Sequence, residues 1–360
     1  LALCEDNLPT PAIADPGEHF KTVLYRGSDD GVKIVTGVGF QPDLVWVKNR
    51  YTSSGHYLWD VVRGANKNLR SDGTYTESAV SGASHGIIST NSSNGFVVKN
   101  GSSSGSNVGS SGNDAYVAWC WKAGGAPVAN TDGSINSQVS ANQTAGFSIV
   151  SYTGTGSVGT VGHGLGKRPK VVIVKDRNAT TNWPVFFDGI SNNTNDLLQL
   201  NLDNSIATAG NFFNGGDTTT TTFPLGTGDS QTNASGNNHI AYCWAEIEGY
   251  SKFGSYVGNG NADGPFVYCG FKPALVIVKN GDDTSGRDWG IVDSSRQSTN
   301  PCSHHLRANT NGTENTGTYP VDLLSNGFKI RNSTSLWNES ADNHYFLAFA
   351  ESPFQTANAK

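Results

Sequence analysis

The sequence predicts an all-β protein with very little helix, built as three tandem β-sandwich repeats of a jelly-roll or lectin-like kind. Its clearest sign is a repeated phrase, in which glycine and proline precede an apolar run ending in lysine, at residues 39–48, 166–175 and 270–279. Elsewhere, short apolar runs are separated by turns rich in Gly, Asn, Ser and Asp, as in sandwich domains. No long window has the apolar period of a helix.

The repeats share further landmarks besides this phrase. Its prolines are 127 and 104 residues apart, a spacing that fits small domains better than solenoid units. Each proline is followed by an aspartate 18 to 20 residues later and by a phenylalanine 54 or 55 residues later. The landmarks are Pro42, Asp60 and Phe96, then Pro169, Asp188 and Phe223, then Pro273, Asp293 and Phe328. An apolar strand closes each repeat.

These landmarks predict the domain boundaries. A proline-rich extended arm occupies residues 1–17. Unit 1 spans 18–126, unit 2 spans 127–249 with a linker at 127–144, and unit 3 spans 250–360. The junctions are too short to act as long flexible linkers, so we expect the units to pack together.

The strand inside the repeated phrase is apolar on both faces. In unit 1, Leu44 and Trp46 belong to one face and Val45 and Val47 to the other. A strand with one face in water would alternate apolar with polar residues. We therefore expect this strand to be central. The second sheet of its own unit would cover one face, and a neighbouring unit or another subunit would cover the other.

The composition argues against several classes of protein. The net charge of −6 and the lack of a basic cluster beyond residues 167–170 argue against nucleic-acid binding. No apolar stretch approaches the length of about 18 residues that a membrane helix needs, so we expect no membrane insertion. The chain starts at Leu1 and contains no methionine, so we expect a processed or partial product. The five cysteines include no Cys-x-x-Cys pair and are expected to be buried thiols.

No arrangement of residues identifies a catalytic or cofactor site. Residues 154–159 match Gly-x-Gly-x-x-Gly, but no helical pattern follows, so we interpret them as a turn. Each repeated aspartate stands alone at the end of a strand, where accepting turn N–H groups is a simpler role than general acid or base. We predict no catalytic residue and no cofactor. Metal binding, by histidines or by the Asp-rich loops, stays an open alternative.

Four aromatic residues near predicted loops are candidates for stacking on sugar rings. They are Tyr51, Tyr57, Trp183 and Trp337. Such rings have a large apolar face and, in Tyr and Trp, a polar group that can reach a partner. The same properties also suit a core or an interface between units, and both interpretations stay open.

Five longer phrases in the chain resemble a known repeat family. They are residues 39–50, 115–125, 144–154, 248–256 and 324–331. The family occurs in virion structural and tail-fibre-like proteins of marine tailed phages, of the cyanophage and pelagiphage type. The resemblance extends over nearly the whole chain, from about residue 18 to Phe354. It implies a place in a virus particle and supplies no catalytic residues.

The resulting hypothesis is a non-enzymatic phage virion protein, namely a tail fibre or other surface appendage of the extracellular particle that contacts the host. We expect a homo-oligomer, a trimer by analogy with phage appendages, that contacts other virion proteins and a host cell-surface glycan. One alternative is a capsid-surface decoration or purely structural virion protein without a ligand. A further alternative is a secreted polysaccharide-degrading enzyme, which needs two carboxylates about 5–10 Å apart in one cleft.

Overall fold

The computed structural model describes residues 10–27, 31–80, 86–91, 93–99, 114–190, 195–208, 211–227 and 230–356. The predicted all-β class is confirmed, because strands make up 45% of the structure and helix 3%. The helical segments of these residues are the 3-10 turns Pro16–Glu18 and Phe354–Thr356 and the α-helix α1, Ser335–Asn338. Residues 1–9 of the predicted arm lie outside the described residues. The rest of the arm places the buried Ile13 against the core.

Unit 1 contains nine strands in its described residues. They are β1 (Phe20–Arg26), β2 (Val32–Thr36), β3 (Leu44–Asn49), β4 (Tyr57–Asp60), β5 (Lys67–Asn68), β6 (Ser78–Ala79), β7 (Gly86–Asn91), β8 (Gly95–Lys99) and β9 (Ala115–Trp121). The main sheet has the strand order β1-β9-β3-β4, and the second sheet has the order β2-β8-β7. A bridge between Leu58 and Leu69 connects β4 with the segment that follows β5.

Unit 2 contains ten strands in its described residues. They are β10 (Val128–Asn130), β11 (Ser137–Asn142), β12 (Phe147–Thr153), β13 (Gly159–Gly162), β14 (Val171–Asp176), β15 (Pro184–Phe187), β16 (Asp196–Gln199), β17 (Ala207–Thr208), β18 (Thr222–Leu225) and β19 (Asn238–Trp244). The main sheet is β10-β11-β12-β19-β14-β15-β16-β17, and the second sheet is β13-β18. The hairpin β10-β11 falls within the predicted linker, so half of the linker residues belong to the sheet.

Unit 3 contains eight strands in the part that the structure describes, residues 250–356. They are β20 (Ser251–Val257), β21 (Phe266–Tyr268), β22 (Phe271–Asn280), β23 (Gly290–Asp293), β24 (Leu306–Arg307), β25 (Val321–Leu324), β26 (Gly327–Ile330) and β27 (Asn343–Pro353). The main sheet is β20-β27-β22-β23-β24, and the second sheet is β21-β26-β25. The helix α1 lies just before β27.

The same strand order lies at the centre of all three main sheets. An opening strand pairs with the closing strand, which pairs with the strand of the repeated phrase, which pairs with the strand at the repeated aspartate. These series are β1-β9-β3-β4, β12-β19-β14-β15 and β20-β27-β22-β23. The register agrees as well, since Leu44 pairs with Trp121, Val171 with Trp244 and Leu275 with Phe349.

The strand of the repeated phrase is buried on both faces, as predicted. In β3, Val45 and Val47 pack with Phe96 in the core between the two sheets of unit 1. The other face, with Leu44 and Trp46, joins a core that contains residues of all three units. The neighbouring units therefore supply the second cover, so a separate subunit is not needed for it.

The repeated prolines and phenylalanines occupy buried positions. The three prolines lie just before or within the strand of the repeated phrase and are buried. The phenylalanines are fully buried and each pairs with a valine in the second sheet. These pairs are Phe96 with Val35, Phe223 with Val161 and Phe328 with Val267. Both landmarks therefore serve the sandwich cores.

Three aromatic side chains, one from each unit, meet at the centre of the molecule. Trp121, Trp244 and Phe349 occupy the same position of their closing strands and are buried. The ring centroids are 6.2 Å apart for the two tryptophans, and Phe349 lies 5.6 Å and 6.5 Å from them. Because equivalent residues touch one another, the main sheets surround a common axis. The units form a closed ring in which each contacts the other two.

Candidate functional site

Each unit uses one ring nitrogen to contact a backbone carbonyl of a neighbouring unit. The contacts join Trp183 Nε1 to Arg70 O at 3.2 Å, Trp289 Nε1 to Gln199 O at 2.9 Å and His56 Nε2 to Arg307 O at 2.9 Å. The three ring residues are structurally equivalent, because an Asp or Asn side chain accepts the backbone N–H of each. These acceptors are Asn201 for Trp183, Asn309 for Trp289 and Asp72 for His56. The contacts run in one direction around the ring.

His56 stands where units 2 and 3 have tryptophan, and it uses both ring nitrogens. Its Nδ1 accepts the indole N–H of Trp46 at 2.8 Å, so its Nε2 carries the proton donated to Arg307. Burial lowers the pKa of His56 to about 3, with a smaller contribution from the charge of Lys48. The imidazole is therefore a neutral structural bridge between units 1 and 3.

The lysine of each repeated phrase is buried near a unit interface. Lys175 Nζ donates to Thr181 O at 2.9 Å and to Thr74 O of unit 1 at 3.4 Å, and Lys279 Nζ donates to Asp203 O of unit 2 at 2.7 Å. Lys48 Nζ donates to Asn49 O at 2.6 Å. Burial lowers the pKa of each of these three lysines to about 8. Their ammonium groups are held by backbone carbonyls, which is a structural use.

Two of the three interfaces contain a buried network of charged side chains. Between units 1 and 2, Arg63 contacts Asp60 at 2.5 Å and Glu77 at 3.5 Å, and Arg177 of unit 2 contacts Glu77 at 2.8 Å. The phenol of Tyr242, also in unit 2, donates to Asp60 at 2.7 Å. Every carboxylate in the network therefore has a partner from the neighbouring unit.

The interface between units 3 and 1 repeats this network. Arg296 contacts Asp293 at 2.5 Å and Glu314 at 3.0 Å, and Arg50 of unit 1 contacts Glu314 at 2.7 Å. The indole of Trp119 donates to Asp293 at 3.1 Å. Burial raises the pKa of Glu314, but the hydrogen bond from Arg50 and the charge of Arg296 outweigh it and lower that pKa.

The interface between units 2 and 3 has apolar contacts in place of this network. Ile206 and Gly281 occupy the positions of the glutamate and of the arginine, because Ile206 N donates to Gly281 O as Glu77 N donates to Arg177 O. A Cβ atom on Gly281 would lie 2.5 Å from the Tyr345 ring and 3.0 Å from Ile206. The Tyr345 ring in turn packs on Phe187, with centroids 5.5 Å apart.

Two of the three repeated aspartates belong to the interface networks. Asp60 and Asp293 are fully buried and each accepts the backbone N–H of the arginine three residues later. Asp188 is partly exposed and contacts Arg168 and Lys170 of its own unit. The three lie on different units and do not share a cleft. Sequence reasoning missed the arginine network, although Asp-x-x-Arg in units 1 and 3 was its signal.

Three of the four candidate aromatic rings are buried, which favours the core or interface alternative over sugar stacking for them. Tyr57 is 8% exposed, and Trp183 and Trp337 are 0% exposed. Trp183 is the interface donor described above, Trp337 belongs to α1 and packs on His305, and Tyr57 faces the sandwich core. None of these rings offers a face to a sugar. Tyr51, at 63% exposed, keeps an accessible ring.

Other sequence interpretations concern thiols and motifs. Cys120, Cys243, Cys269 and Cys302 are free and buried, as predicted, while Cys4 lies outside the described residues. Residues 154–158 form the connection from β12 to β13, which confirms that the glycine motif is a turn.

Within the described parts of the chain, no group of three or more His, Cys, Asp or Glu could hold a metal ion. No helix of those parts is long and apolar enough to cross a membrane.

A polar cavity of about 310 Å³ opens where unit 2 meets unit 3, and sequence reasoning did not find it. Its lining includes Asp203 from unit 2 and Arg287, Asp288, Arg307, Tyr319 and Ser335 from unit 3. Arg307 contacts Asp288 at 2.8 Å and donates to the Tyr319 hydroxyl at 3.1 Å. These residues come from separate loops and strands, so no local pattern marks them.

A second cavity, of about 300 Å³, lies between the arm and the start of unit 3. Two carboxylates, Glu246 and Glu248, are among its lining residues. Glu246 is paired with Lys252 at 2.8 Å, whereas Glu248 is exposed. Like the first cavity, which is lined by Asp203 and Asp288, it brings two carboxylates to one cleft, as the enzyme alternative requires.

A family model described as "Domain of unknown function (DUF7483)" matches residues 15–353. The chain belongs to this family. The match includes all three units in one domain, which agrees with the core that the units share. No curated protein matches the chain, and no solved structure matches it.

Proposed function

We propose that the protein is a non-enzymatic virion component of a tailed phage, a tail fibre or other surface appendage that contacts the host surface. The observation that carries the proposal is that most of the repeated polar residues form contacts between the units. Two of the three lysines, two of the aspartates and the interface donors hold the three units together. Such a chain is suited to forming one stiff body that displays loops, and the resemblance of its phrases to those of virion proteins favours a place in a virus particle.

The buried reactive groups support a structural role. Burial raises the pKa of the Cys120 and Cys243 thiols, which disfavours the nucleophilic thiolate. The carboxylates of Asp60 and Asp293 are each paired with an arginine. Groups that are saturated by partners of this kind stabilise a fold and are poor acids, bases or nucleophiles.

We propose that self-association uses the outer sheets, because the inner faces are already covered within the chain. The edge strands β2 and β21 expose Ile34 and Phe266, at 56% and 44%, in equivalent positions. In unit 2 the equivalent Thr160 accepts the backbone N–H of Ile135 at 2.9 Å, so that edge is covered by its own chain. A second copy adding a strand to the open edges would bury the two exposed residues.

Light scattering tests this assembly. The proposal expects a multiple of the 38.0 kDa chain, with three copies as the first expectation. Ile34→Lys combined with Phe266→Lys should reduce the mass to that of one chain, whereas Thr160→Lys should not. A wild-type mass of one chain would contradict self-association.

The proposed location is tested on purified phage particles that contain the protein. Antibodies against the folded chain, carrying gold, should label the tail or its appendages in electron micrographs, and the purified protein should adsorb to cells of the host. Label over the head would support the alternative of a capsid decoration. Label on no particle, together with release of reducing sugar from a host polysaccharide, would support the enzyme alternative and contradict the proposal.

A further inference from the structure

We propose that the cavity between units 2 and 3 binds a neutral saccharide of the host surface. This inference deepens the proposed function by giving its attachment a site and a ligand class. The cavity, about 310 Å³, has the size of a small-ligand site and draws its lining from two units. Its residues therefore stand in fixed relation only when the ring is closed.

The equivalent space in unit 1 is filled by the protein itself. Arg70 is the counterpart of Arg307, because each lies two residues before the side chain that holds the interface donor. Arg70 lies over the Tyr75 ring at 4.2 Å and packs against Gly55, where a Cβ atom would be 2.3 Å from the guanidinium. In unit 3 the position of Gly55 is occupied by Asp288, and Arg307 forms an ion pair with this aspartate. Units 1 and 3 therefore differ at this position, and the side chains that fill the space in unit 1 leave it open in unit 3.

The charges around the cavity are balanced. Arg307 is paired with Asp288 at 2.8 Å, and Arg287 is paired with Asp283 at 2.6 Å. Lys279 lies close enough to Asp203 for that carboxylate to raise its pKa against the larger, lowering effect of burial. Because each positive group has a negative neighbour, the site does not favour a phosphate, a carboxylate or a free cation.

Several polar groups that line the cavity can still form hydrogen bonds with a ligand. Among the described residues, the buried Nε of Arg287 has no hydrogen-bond partner, and neither the exposed Asp203 carboxylate nor the half-buried Ser335 hydroxyl forms a hydrogen bond with another protein group. The Tyr319 hydroxyl accepts from Arg307 and still has its own proton to donate. Free carboxylate and hydroxyl acceptors next to N–H and O–H donors complement a ligand that carries many hydroxyl groups and no charge.

Further buried polar groups without a partner lie next to Tyr319. The ring of His305 is in contact with that of Tyr319, with centroids 4.4 Å apart, and both His305 ring nitrogens lack a partner among the described residues. The indole N–H of Trp337, whose ring also contacts His305, lacks one as well. Buried polar groups in native proteins rarely stay unpaired, so these nitrogens can pair with water or with a polar group of a ligand.

Binding is tested with the full chain by saturation-transfer NMR and titration calorimetry. The probes are maltohexaose, cellohexaose, laminarihexaose and chitohexaose, with oligogalacturonate as the charged contrast. We expect at least one neutral probe to bind and oligogalacturonate not to bind. Asp203→Ala and Tyr319→Ala should each weaken binding about tenfold or more, which is the usual effect of losing a hydrogen bond to a charged group or a ring contact.

The control is Glu248→Ala, which removes an exposed carboxylate from the second cavity and should leave binding unchanged. Asp203 is exposed and its side chain has no hydrogen bond, so its replacement keeps the test valid even if Tyr319→Ala fails to fold. Failure of every neutral probe to bind, equal binding by Asp203→Ala, or loss of binding in Glu248→Ala would overturn the inference.

Cell adsorption separates this inference from the proposed function. Adsorption that is lost in Asp203→Ala and kept in Glu248→Ala supports the site. Adsorption that persists in Asp203→Ala overturns the site and leaves host attachment standing. If neutral saccharide binds at the cavity but the protein does not adsorb to host cells, the attachment role fails while the binding site is retained.

Discussion

The interface between units 1 and 2 and the interface between units 2 and 3 make the same backbone contact with opposite chemistry. At the first, Glu77 N donates to Arg177 O and the side chains of these residues form an ion pair. At the second, Ile206 N donates to Gly281 O, and the side chain of Ile206 occupies the space that Gly281 leaves. Backbone geometry and the shared apolar core therefore define the ring, and the side chains at this position can be charged or apolar.

The difference extends to the repeated aspartates. Asp60 and Asp293 receive a hydrogen bond from Tyr242 or Trp119 of the adjacent closing strand. The equivalent residue of the third closing strand is Leu347, which has no donor, and Asp188 is correspondingly turned toward Arg168 at the surface. A carboxylate stays buried only where partners from two units meet it, because an unpaired buried charge is costly.

The largest expected effect comes from breaking a buried network. Arg63→Ala leaves the Asp60 carboxylate buried without its cation and should lower the free energy of unfolding by about 3–5 kcal/mol. Arg168→Ala is the matched control, because its partner Asp188 is the partly exposed counterpart in unit 2, and should cost less than about 1 kcal/mol. Urea unfolding measures both. Equal losses of unfolding free energy in the two variants would show that the buried network does not stabilise its interface more than the exposed ion pair stabilises unit 2.

A second test introduces the missing arginine at the apolar interface. Gly281→Arg should lower the free energy of unfolding by about 1–3 kcal/mol, since the new side chain meets Tyr345 and Ile206. Adding Ile206→Glu supplies a partner, so the double variant should be more stable than the sum of the single effects by about 0.5 kcal/mol or more. A double-mutant cycle in urea measures this coupling, and strict additivity would contradict it.

Acid should weaken the interface between units 3 and 1 more than the interface between units 2 and 3. The pKa of folded His56 is lowered to about 3 from an ordinary value of about 6.5, so the unfolded chain binds the proton first as pH falls. The contribution of His56 is complete above pH 6.5 and declines below it, by up to about 1.4 kcal/mol per pH unit. Trp289, its counterpart between units 2 and 3, does not titrate.

Unfolding curves between pH 7 and pH 5 measure this effect. His56→Gln should reduce the slope of stability against pH by about one proton, whereas Trp289→Phe should leave it unchanged. Hydrogen exchange at pH 5 should show earlier opening near Arg307 than near Gln199. If the slope of stability against pH is the same in His56→Gln and in the wild type, His56 does not cause the acid sensitivity of this interface.

The smallest effect is expected at the exposed aromatic residue. Tyr51 follows Arg50 of the charged network, yet its ring is in water. Tyr51→Ala should change the free energy of unfolding by less than about 0.5 kcal/mol, whereas Trp183→Ala, at a buried interface, should cost about 3–5 kcal/mol. Thermal melts compare the two variants. A large loss of stability in Tyr51→Ala would contradict this expectation and would mean that the exposed ring stabilises the surrounding loop.

The sequence was informative about local structure and uninformative about the candidate ligand site. The double burial of β3 followed from Leu44 to Val47, because side-chain direction alternates along a strand. The exposure of Trp183 could not be judged in the same way, since an aromatic residue near a loop suits either water or an interface. The cavity residues Asp203 and Arg307 are 104 positions apart and meet only through the ring.

The chain by itself therefore determined the strands, their repetition and the apolar faces, because these depend on neighbours a few residues away. Only the tertiary structure decided which unit follows which around the axis. It also decided which carboxylates are buried with a cation and where a cavity remains open. Those outcomes depend on contacts such as that of Tyr242 with Asp60, 182 positions apart. Their free energy arises from desolvation and pairing that exist only after the three sheets have closed on one another.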